Sequence, residues 1–490
     1  MMVASTGPAR QQTRWGALAL IVTAQFMVIL DVAIVNVALP SIKTDLHFTE
    51  ESLQWVITAY AIFFGGTLLL GGRLADMFGR RRLFVIGVAV FSITSLLSGL
   101  AWSEASLIAF RALQGLGGAL LAPAALSILM TTFAEGRERN IALGIWGAAS
   151  GSGGAAGVLL GGVLTSYLSW SWIFFINVPV GVIVIALTPW LLSPGRSVLD
   201  HRRFDIAGAA SITSGLMLLV YAMTRATQHG WGSTETIACL AASAALVIAF
   251  VLIELRSRAP LLPMRLFRLR SLAAANAAGL VVAAVGFSMF FLLTLYMQQV
   301  LHYSPVQTGV AFIAITLSIV VFSNVAQTLV TRLGPRRVLT AGLLLSAGAL
   351  ALFARAPTDG HYFWDLFPAL VLGGIGMAMS FIPMTIAGLT GVQGPDAGVA
   401  SGLINTSRQI GGAVGLAAVS TIATTFTSHY ASSHPGVTDT SASALTHGFD
   451  VTFYVLAGLA VLGALVAAIF IEPQRRERVR EQIVPLEEAA

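Results

Sequence analysis

The sequence carries little charge and almost no cysteine. Only 10% of its 490 residues are charged, whereas 56% are hydrophobic, and its mean hydropathy is +0.83. About a quarter of the residues of an ordinary soluble domain are charged, so this composition excludes a soluble globular protein. The single cysteine, Cys239, excludes an intrachain disulfide and a cysteine metal cluster.

Motifs for nucleotide, metal or hydrolytic chemistry are also missing from the sequence. It has no Walker-type phosphate loop and no His/Cys or paired-carboxylate spacing. We therefore expect neither an enzyme nor an ATP-driven pump, and no cofactor. Three of the eight histidines, His429, His434 and His447, fall in a Ser/Thr-rich segment at 426–449. We predict a solvated outer loop there, and a weak divalent-metal contact is the alternative.

Long apolar runs occupy most of the chain. About 20 apolar residues cross the hydrocarbon core of a membrane, and a helix-length window predicts an all-α polytopic membrane protein. The first run is too long for the core of a cleavable signal peptide, so we interpret it as a span whose outer end is Pro40. The fourteen predicted spans are about 15–38, 52–71, 83–101, 105–130, 139–164, 171–193, 205–224, 235–254, 271–298, 305–328, 337–354, 363–389, 397–424 and 450–471.

The basic residues test this count, because Lys and Arg gather in cytoplasmic loops. With the N-terminus inside, all but five of the 28 fall in such loops; the exceptions are Lys43, Arg225 and Arg355 outside and Arg111 and Arg408 within spans. Both termini are then cytoplasmic. The net charge of +6 follows from topology and does not indicate a nucleic-acid partner. Arginine in place of lysine, with much Gly and Ala, indicates a GC-rich bacterial gene and hence a bacterial cytoplasmic membrane.

An internal repeat divides the chain. LADMFGRRRLFVIG (74–87) and LVTRLGPRRVLTAG (329–342) align with matching glycines and arginines, although two basic loops can also resemble each other by composition alone. The repeat predicts two similar helical halves. The domains are then an N-terminal six-helix bundle at 1–194, an inserted helix pair with linkers at 195–270, a C-terminal six-helix bundle at 271–472 and a cytoplasmic tail at 473–490.

Two opposite charges lie at similar depth within spans. Asp31 lies about nine residues before Pro40, hence roughly 10 to 14 Å below the outer surface, and Arg111 lies about six residues into the fourth span. An ionisable group in the hydrocarbon costs roughly 2.5 to 3.5 kcal/mol, so we expect them to face each other or a water-filled cavity. A carboxylate whose partner moves between states can take up and release a proton. The pair is a candidate proton-coupling site, and a purely structural ion pair is the alternative.

Glycines mark two further features. The segment 71–82 is predicted to be a loop in which Gly71, Gly72 and Gly79 permit a tight reversal, with Asp76 among Arg73, Arg80, Arg81 and Arg82; a solvated basic loop is the alternative.

In the fifth span, Gly153, Gly157 and Gly161 recur every four residues, followed by Gly162, while Gly147 and Gly151 form a second row. Such rows allow another helix backbone to approach closely.

Polar and aromatic residues within spans are candidates for a substrate pocket, since such pockets combine apolar walls with few polar groups. Arg408 lies near mid-membrane and belongs to this set. The alternative is that it makes an interhelical hydrogen bond or snorkels to the membrane surface. The candidates, besides Asp31, are Phe26, Trp55, Tyr60, Gln114, Trp146, Tyr296, Gln298, Gln299, Asn405, Gln409 and Gly412.

GGRLADMFGRRRLFVIG (71–87) resembles the loop signature between the second and third helices of the major facilitator superfamily. LDVAIVNVALP (30–40) resembles the first-helix signature of its fourteen-helix drug:proton antiporter family. One departure is Val158, which stands where the fifth-helix pattern of the family has a kink-forming proline. Supporting segments lie at 111–123, 170–181, 203–209, 296–310 and 402–415.

The resemblance implies a major-facilitator fold of two six-helix bundles plus two inserted helices. It implies a monomeric exporter of small amphipathic organic molecules, energised by the proton gradient, in the lipid bilayer. It also implies proton coupling at Asp31 and Arg111, an antiport helix carrying the glycine rows, and a conformational latch formed by Gly72, Arg73, Asp76, Gly79, Arg80 and Arg81. A dedicated exporter of one metabolite or antibiotic, an ion-coupled importer and a channel are the alternatives.

Overall fold

The computed structural model describes residues 8–48, 50–53, 55–134, 136–193, 205–257, 260–392 and 396–472. Within these ranges the secondary structure is helical, and fourteen helices are long and apolar enough to cross a membrane. The predicted number of spans and the all-α class are therefore confirmed. The predicted tail at 473–490 lies outside the described residues.

The first half of the chain forms eight helices: α1 (Pro8–Leu46), α2 (Glu50–Leu53), α3 (Trp55–Phe78), α4 (Arg80–Gly99), α5 (Glu104–Thr132), α6 (Arg137–Tyr167), α7 (Trp172–Phe175) and α8 (Asn177–Leu191). The inserted pair is α9 (Ile206–His229) and α10 (Thr234–Arg256). The remaining helices are α11 (Arg270–Leu295), α12 (Pro305–Ala311), α13 (Ile313–Leu333), α14 (Pro335–Phe353), α15 (Phe367–Leu389), α16 (Ala397–Ser433) and α17 (Ala442–Phe470). A 3₁₀ turn spans Met264–Arg268, and single π turns span Tyr296–Val300 and Tyr362–Leu366.

The two halves share one packing plan, as the repeat predicted. In the first half α3 and α4 pack on α5, and α1 packs on α6; in the second half α13 and α14 pack on α15, and α11 packs on α16. Gly79 separates α3 from α4 with φ 97°, and Gly334 separates α13 from α14 with φ 82°. Both glycines occupy the left-handed region that L-residues with a side chain avoid. The repeat thus extends to backbone conformation.

The inserted pair packs on one side of the seam between the halves. α9 contacts both α3 and α16, and α10 contacts α9. A Cβ at Gly66 of α3 would lie against Met217 of α9, so that glycine lets the inserted helix approach the first half closely. At the other end of the pair, Trp231 Nε1 donates a hydrogen bond to Thr421 of α16 at 2.7 Å.

Three predicted boundaries were wrong. Helix α1 continues past Pro40 to Leu46; the proline removes one backbone donor from the helix without ending it. The segment 71–82 is not a loop, because α3 extends to Phe78 and only Gly79 forms the reversal. The segment 426–449 is largely helical, since α16 ends at Ser433 and α17 begins at Ala442. In each case polar residues that read as a loop belong to a helix that extends beyond its apolar run.

Candidate functional site

A buried polar cluster surrounds Asp31 in α1. Arg111 Nη1 lies 2.6 Å from Asp31 Oδ2, so the two charges form an ion pair. The other carboxylate oxygen, Oδ1, accepts hydrogen bonds from Gln114 Nε2 at 2.8 Å and Asn177 Nδ2 at 2.9 Å. All four side chains are at most 1% exposed. The cluster therefore joins α1 to α5 and α8 through buried groups.

The guanidinium of Arg111 is held on several sides. Its Nε donates to the carbonyl oxygen of Val56 at 3.1 Å, and Nη1 also donates to Gln114 Oε1 at 2.6 Å. Its Cζ lies 4.4 Å from the centroid of the Tyr60 ring and 5.6 Å from that of Phe174, within the range of cation–π attraction. Removal of one charge would leave the other buried and unpaired, at a cost of about 3–5 kcal/mol.

The sequence analysis missed Asn177 and Ser95. Asn177 is the first residue of α8, and its Nδ2 also donates to Ser95 Oγ of α4 at 3.0 Å. Ser95 Oγ donates in turn to the carbonyl oxygen of Phe174 at 2.9 Å. The available signal was an amide in the otherwise apolar run 170–181, since buried polar groups need partners.

Asp76 connects the two halves of the molecule. It lies in the last turn of α3 and is 1% exposed. Its carboxylate accepts the backbone N–H groups of Gly398 at 3.2 Å and Val399 at 3.1 Å, in the first turn of α16, and pairs with Arg80 at 3.0 Å. A carboxylate is stabilised at a helix N-terminus by the unpaired N–H groups and the helix dipole. Asp76 thus caps a helix of the opposite half.

Glycines make this contact possible. A Cβ at Gly72 would collide with the carbonyl oxygen of Gly398, and a Cβ at Gly398 would collide with Gly72 and Asp76. The backbones of α3 and α16 therefore touch where Asp76 reaches across. Gly71 serves a different contact, because a Cβ there would collide with the carbonyl oxygen of Ala119 in α5.

A second buried carboxylate, Glu254, ties the inserted pair to the same region. It lies in the last turns of α10, is 4% exposed, and accepts the N–H groups of Leu261 and Leu262 at 2.9 and 3.2 Å. These two hydrogen bonds hold the segment that connects α10 to α11. In that segment, Arg265 Nη2 lies 3.0 Å from Asp396 Oδ2. Asp396 directly precedes α16.

Arg73, which is 8% exposed, lies inside this charge cluster. Its positive charge is attracted to the carboxylates of Asp76, Asp396 and Glu254, which lie in α3, directly before α16 and in α10, respectively. The sequence predicted Asp76 and Arg73 but missed Glu254, Arg265 and Asp396. A carboxylate near the end of an apolar helix was the signal for Glu254.

The repeat position of Asp76 also faces the opposite half. Thr331, near the end of α13, accepts a hydrogen bond from Asn140 Nδ2 of α6 at 3.3 Å. A neutral, long hydrogen bond is weaker than one to a charged group. The two copies of the repeat therefore make contacts of the same kind but unequal strength, both at the end of the bundle that contains 71–82. We call this the latch end.

The glycine row of α6 packs on α1, as its spacing predicted. A Cβ at Gly153 would lie 2.8 Å from Ile29 Cγ2, and one at Gly157 would lie 2.7 Å from Ala33 Cβ. At Gly161 it would lie 2.9 Å from the Ile34 carbonyl oxygen.

The other glycines of α6 serve different neighbours. Gly147 packs on Ile382 of α15, and a Cβ at Gly162 would lie 3.4 Å from Val306 of α12. With Val158 in place of proline, α6 is one continuous helix. It contacts α1 in its own half and α12, α13 and α15 in the other.

The structure disperses most of the predicted pocket residues. Tyr60 and Gln114 belong to the Asp31 cluster, and Phe26 packs against the apolar cluster that contains Leu30 and Ile34. The others lie elsewhere. The Trp55 ring centroid is 5.8 Å from that of Tyr221 in the inserted pair, and Trp146 is a core residue. Tyr296 donates a hydrogen bond to the carbonyl oxygen of Pro357, and in the same π turn Gln298 is half-buried and Gln299 is exposed.

The polar face of α16 lies at the seam between the halves. Asn405 donates to Ser401 of its own helix, Gln409 packs beside Gly65 of α3, and Gly412 lies against Phe287 of α11. Arg408 Cζ lies 4.8 Å from the Phe381 ring centroid.

The three histidines of 426–449 lie at the end of the bundle opposite the latch end. The Tyr430 ring stacks on the His434 ring with 4.0 Å between centroids, and its centroid lies 4.8 Å from that of His447. The carbonyl oxygen of His429 accepts hydrogen bonds from the hydroxyl groups of Ser432 and Ser433.

Comparison with known proteins assigns the family. The model of the Major Facilitator Superfamily matches residues 21–416. The chain is 39% identical over 468 residues to the puromycin resistance protein pur8 of Streptomyces alboniger, covering 94% of this chain and 92% of that protein. It is 42% identical over 417 residues to the cephamycin export protein CmcT of Amycolatopsis lactamdurans, covering 84% and 86%.

A solved structure shows the same fold. The crystal structure of the human organic anion transporter MFSD10 (TETRAN) superposes with a TM-score of 0.61 at 15% identity, covering 94% of this chain and 100% of that chain.

Proposed function

Because the chain belongs to the major facilitator superfamily and is therefore a membrane transporter rather than an enzyme, we propose that it exports amphipathic drugs or antibiotics in exchange for protons. Relatives named for antibiotic resistance and export support the direction of transport and the small organic substrate. The proton gradient is the energy source in this proposal, and the protein works as a monomer by alternating access.

The observation that carries the proposal is the ion pair of Asp31 with Arg111. In the deprotonated state the carboxylate accepts three hydrogen bonds, from Arg111, Gln114 and Asn177. A proton on Asp31 neutralises the charge that compensates Arg111, so the tie between α1 and α5 weakens. Proton uptake and helix position are then linked, as an antiporter requires.

The Asp76 contact supplies the second requirement, a cross-half contact that can be broken. An alternating-access transporter must open at the latch end in one state, which requires Asp76 to leave the N-terminus of α16. Helix α1 packs on α6, and α6 packs along the second half. Movement of α1 on protonation therefore acts on the seam that the Asp76 contact holds shut.

Efflux in inverted membrane vesicles tests the proposal. With the lumen acidified, the wild-type protein should accumulate dyes from a panel of cationic, neutral and anionic compounds, and an uncoupler should abolish the accumulation. A channel would equilibrate the dyes without accumulation, and an importer would raise the substrate content of energised intact cells. Either result contradicts the proposal.

The same preparation decides between a multidrug exporter and a dedicated one. The names of pur8 and CmcT each refer to a single antibiotic, which favours a dedicated exporter of one antibiotic or metabolite as the second candidate. Accumulation of several unrelated dyes supports the multidrug function, whereas accumulation of a single scaffold supports the dedicated one.

We also propose a bacterial cytoplasmic membrane as the location, with both termini and the latch end cytoplasmic. In a Cys239→Ala background, cysteines at the exposed positions Ser433 and Thr234 should react with an impermeant thiol reagent in intact cells, and a cysteine at Arg478 should not. Thr234 separates fourteen spans from twelve. Labelling at Arg478 alone would reverse the orientation.

A further inference from the structure

Arg408 is a cation at the centre of the second half. It lies ten residues beyond Gly398, which packs against Gly72 and Asp76 at the latch end. At about 1.5 Å per residue, Arg408 is about 15 Å from Gly398 along α16. That is half of a hydrocarbon core of about 30 Å. A charge at this depth costs roughly 2.5 to 3.5 kcal/mol even on insertion scales, so it requires a compensating contact.

The side chain of Arg408 lies among helices of the second half. A Cβ at Gly279 of α11 would lie 3.9 Å from Arg408 Cγ and 3.1 Å from Met384 Sδ of α15, so the side chain lies among α11, α15 and α16. Ile382, the residue after Phe381, packs on Gly147 of α6 in the first half. Arg408 is half-buried with its Nε buried, and the residue that follows its Phe381 neighbour contacts the opposite half.

The two arginines within spans differ in their partners. Arg111 has a carboxylate, an amide and a backbone carbonyl within 2.6 to 3.1 Å. Arg408 Nε is buried without a hydrogen-bond partner among the described residues, and none of the ion pairs formed by those residues includes it. Among the residues that the structure describes, the guanidinium contacts the face of the Phe381 ring, with Cζ 4.8 Å from the ring centroid.

We propose that Arg408 and Phe381 form a substrate subsite that takes the oxyanion of an aromatic molecule, such as an aryl carboxylate. The planar guanidinium offers paired N–H donors that match the two oxygens of a carboxylate, and the Phe381 ring offers a face for stacking. A substrate with this chemistry supplies the charge that the protein does not supply. The inference rests on the proposed function, because it names the substrate class of that transporter.

The subsite is separate from the proton-coupling centre. Gly65 of α3 is at the level of Gln409, the residue next to Arg408, since a Cβ there would lie 3.8 Å from Gln409 Cβ. Tyr60, which contacts Arg111, lies five residues earlier on α3, about 7.5 Å further from the latch end. A bound carboxylate therefore reaches Arg408 without displacing Asp31 from Arg111.

Binding of two matched probes to the full chain in nanodiscs tests the inference. The probes are 9-anthracenecarboxylate and its neutral amide, followed by their fluorescence. The wild-type protein should bind the carboxylate at least about tenfold more tightly, or about 1.4 kcal/mol. Arg408→Gln should reduce this ratio to about one, Arg408→Lys should give a ratio in between, and Phe381→Leu should weaken both probes equally.

Equal affinity of the wild-type protein for both probes, or no measurable binding of the carboxylate, overturns the inference. So does an unchanged ratio in Arg408→Gln; if that variant does not fold, an unchanged ratio in Arg408→Lys decides in the same way, because lysine lacks the planar fork. No proton gradient is present in nanodiscs. Loss of gradient-driven export with the ratio intact would therefore reject the proposed function and leave the subsite standing.

Discussion

The carboxylate of Asp76 accepts the backbone N–H of Val399 at 3.1 Å, so a residue at the end of the second span caps the thirteenth span in the other half of the molecule. The contact depends on two backbones that touch at Gly72 and Gly398. In the proposed transport cycle, the contact is present while the latch end is closed and absent when that end opens. Its removal should therefore change the balance between conformers more than the affinity for substrate.

We expect Asp76→Asn to slow transport and to leave substrate affinity within about tenfold of wild type, or about 1.4 kcal/mol. The amide removes the charge that the N-terminus of α16 stabilises, and the proposed substrate subsite at Arg408 lies about 15 Å further along α16. Initial rates in vesicles and equilibrium binding of one dye provide the two measurements. Asp359→Asn, the same change at an exposed loop position, is the control. A loss of affinity beyond tenfold would show that Asp76 does not act as a latch.

Asp31→Asn should abolish uphill efflux but leave downhill exchange of substrate. Asparagine keeps the shape and removes the group that carries the proton in the proposed mechanism, in which alternation itself needs no proton. Arg111→Ala should also damage coupling, because it leaves Asp31 buried without its cation. If the pair acts as a unit, the double variant will be no worse than the worse single variant. Full uphill efflux by Asp31→Asn at normal expression would reduce Asp31 to a structural charge.

Gly157→Ala should destabilise the protein, and Gly154→Ala should not. A Cβ at Gly157 would lie 2.7 Å from Ala33 Cβ and 2.8 Å from the Leu30 carbonyl oxygen, whereas one at Gly154 meets nothing within 4 Å. Overpacking of this kind costs about 1–3 kcal/mol. The thermal midpoints of the two purified variants measure the difference. Equal midpoints would mean that α1 and α6 do not pack through this row.

Glu254→Gln should lower stability by about 1–3 kcal/mol, because a buried carboxylate that accepts two backbone N–H groups is replaced by an amide that can accept through only one oxygen. Glu235→Gln is the matched control at the other end of α10, where the carboxylate is exposed and pairs with Arg225 at 3.1 Å and should contribute little. Thermal unfolding in detergent compares the two. Equal effects would argue against a structural link between the inserted pair and α16 through Glu254.

The sequence by itself determined the number of membrane spans, their order and the repeat. Apolar runs long enough to cross a membrane and the gathering of arginines in alternate loops depend only on local composition, so fourteen spans were predicted and are present. Asp31 and Arg111 were found in the same way, because a charge in an apolar run is conspicuous, whereas Asp76 was found among the glycines and arginines of 71–82. Helix ends were predicted less well at Pro40, Gly79 and Ser433, since helices continue beyond the hydrocarbon where polar residues no longer carry a cost.

Only the tertiary structure decided which groups meet. Asn177 joins Asp31 at 2.9 Å from 146 residues away, and Asp76 meets the backbone of Val399, whose N–H has no side-chain signature in the sequence. Tyr60 and Tyr296 looked equivalent as aromatic candidates, yet the first lies over Arg111 and the second is hydrogen-bonded to Pro357. The rotation of each helix about its axis is set by packing against its neighbours, and that rotation assigns each polar side chain its partner.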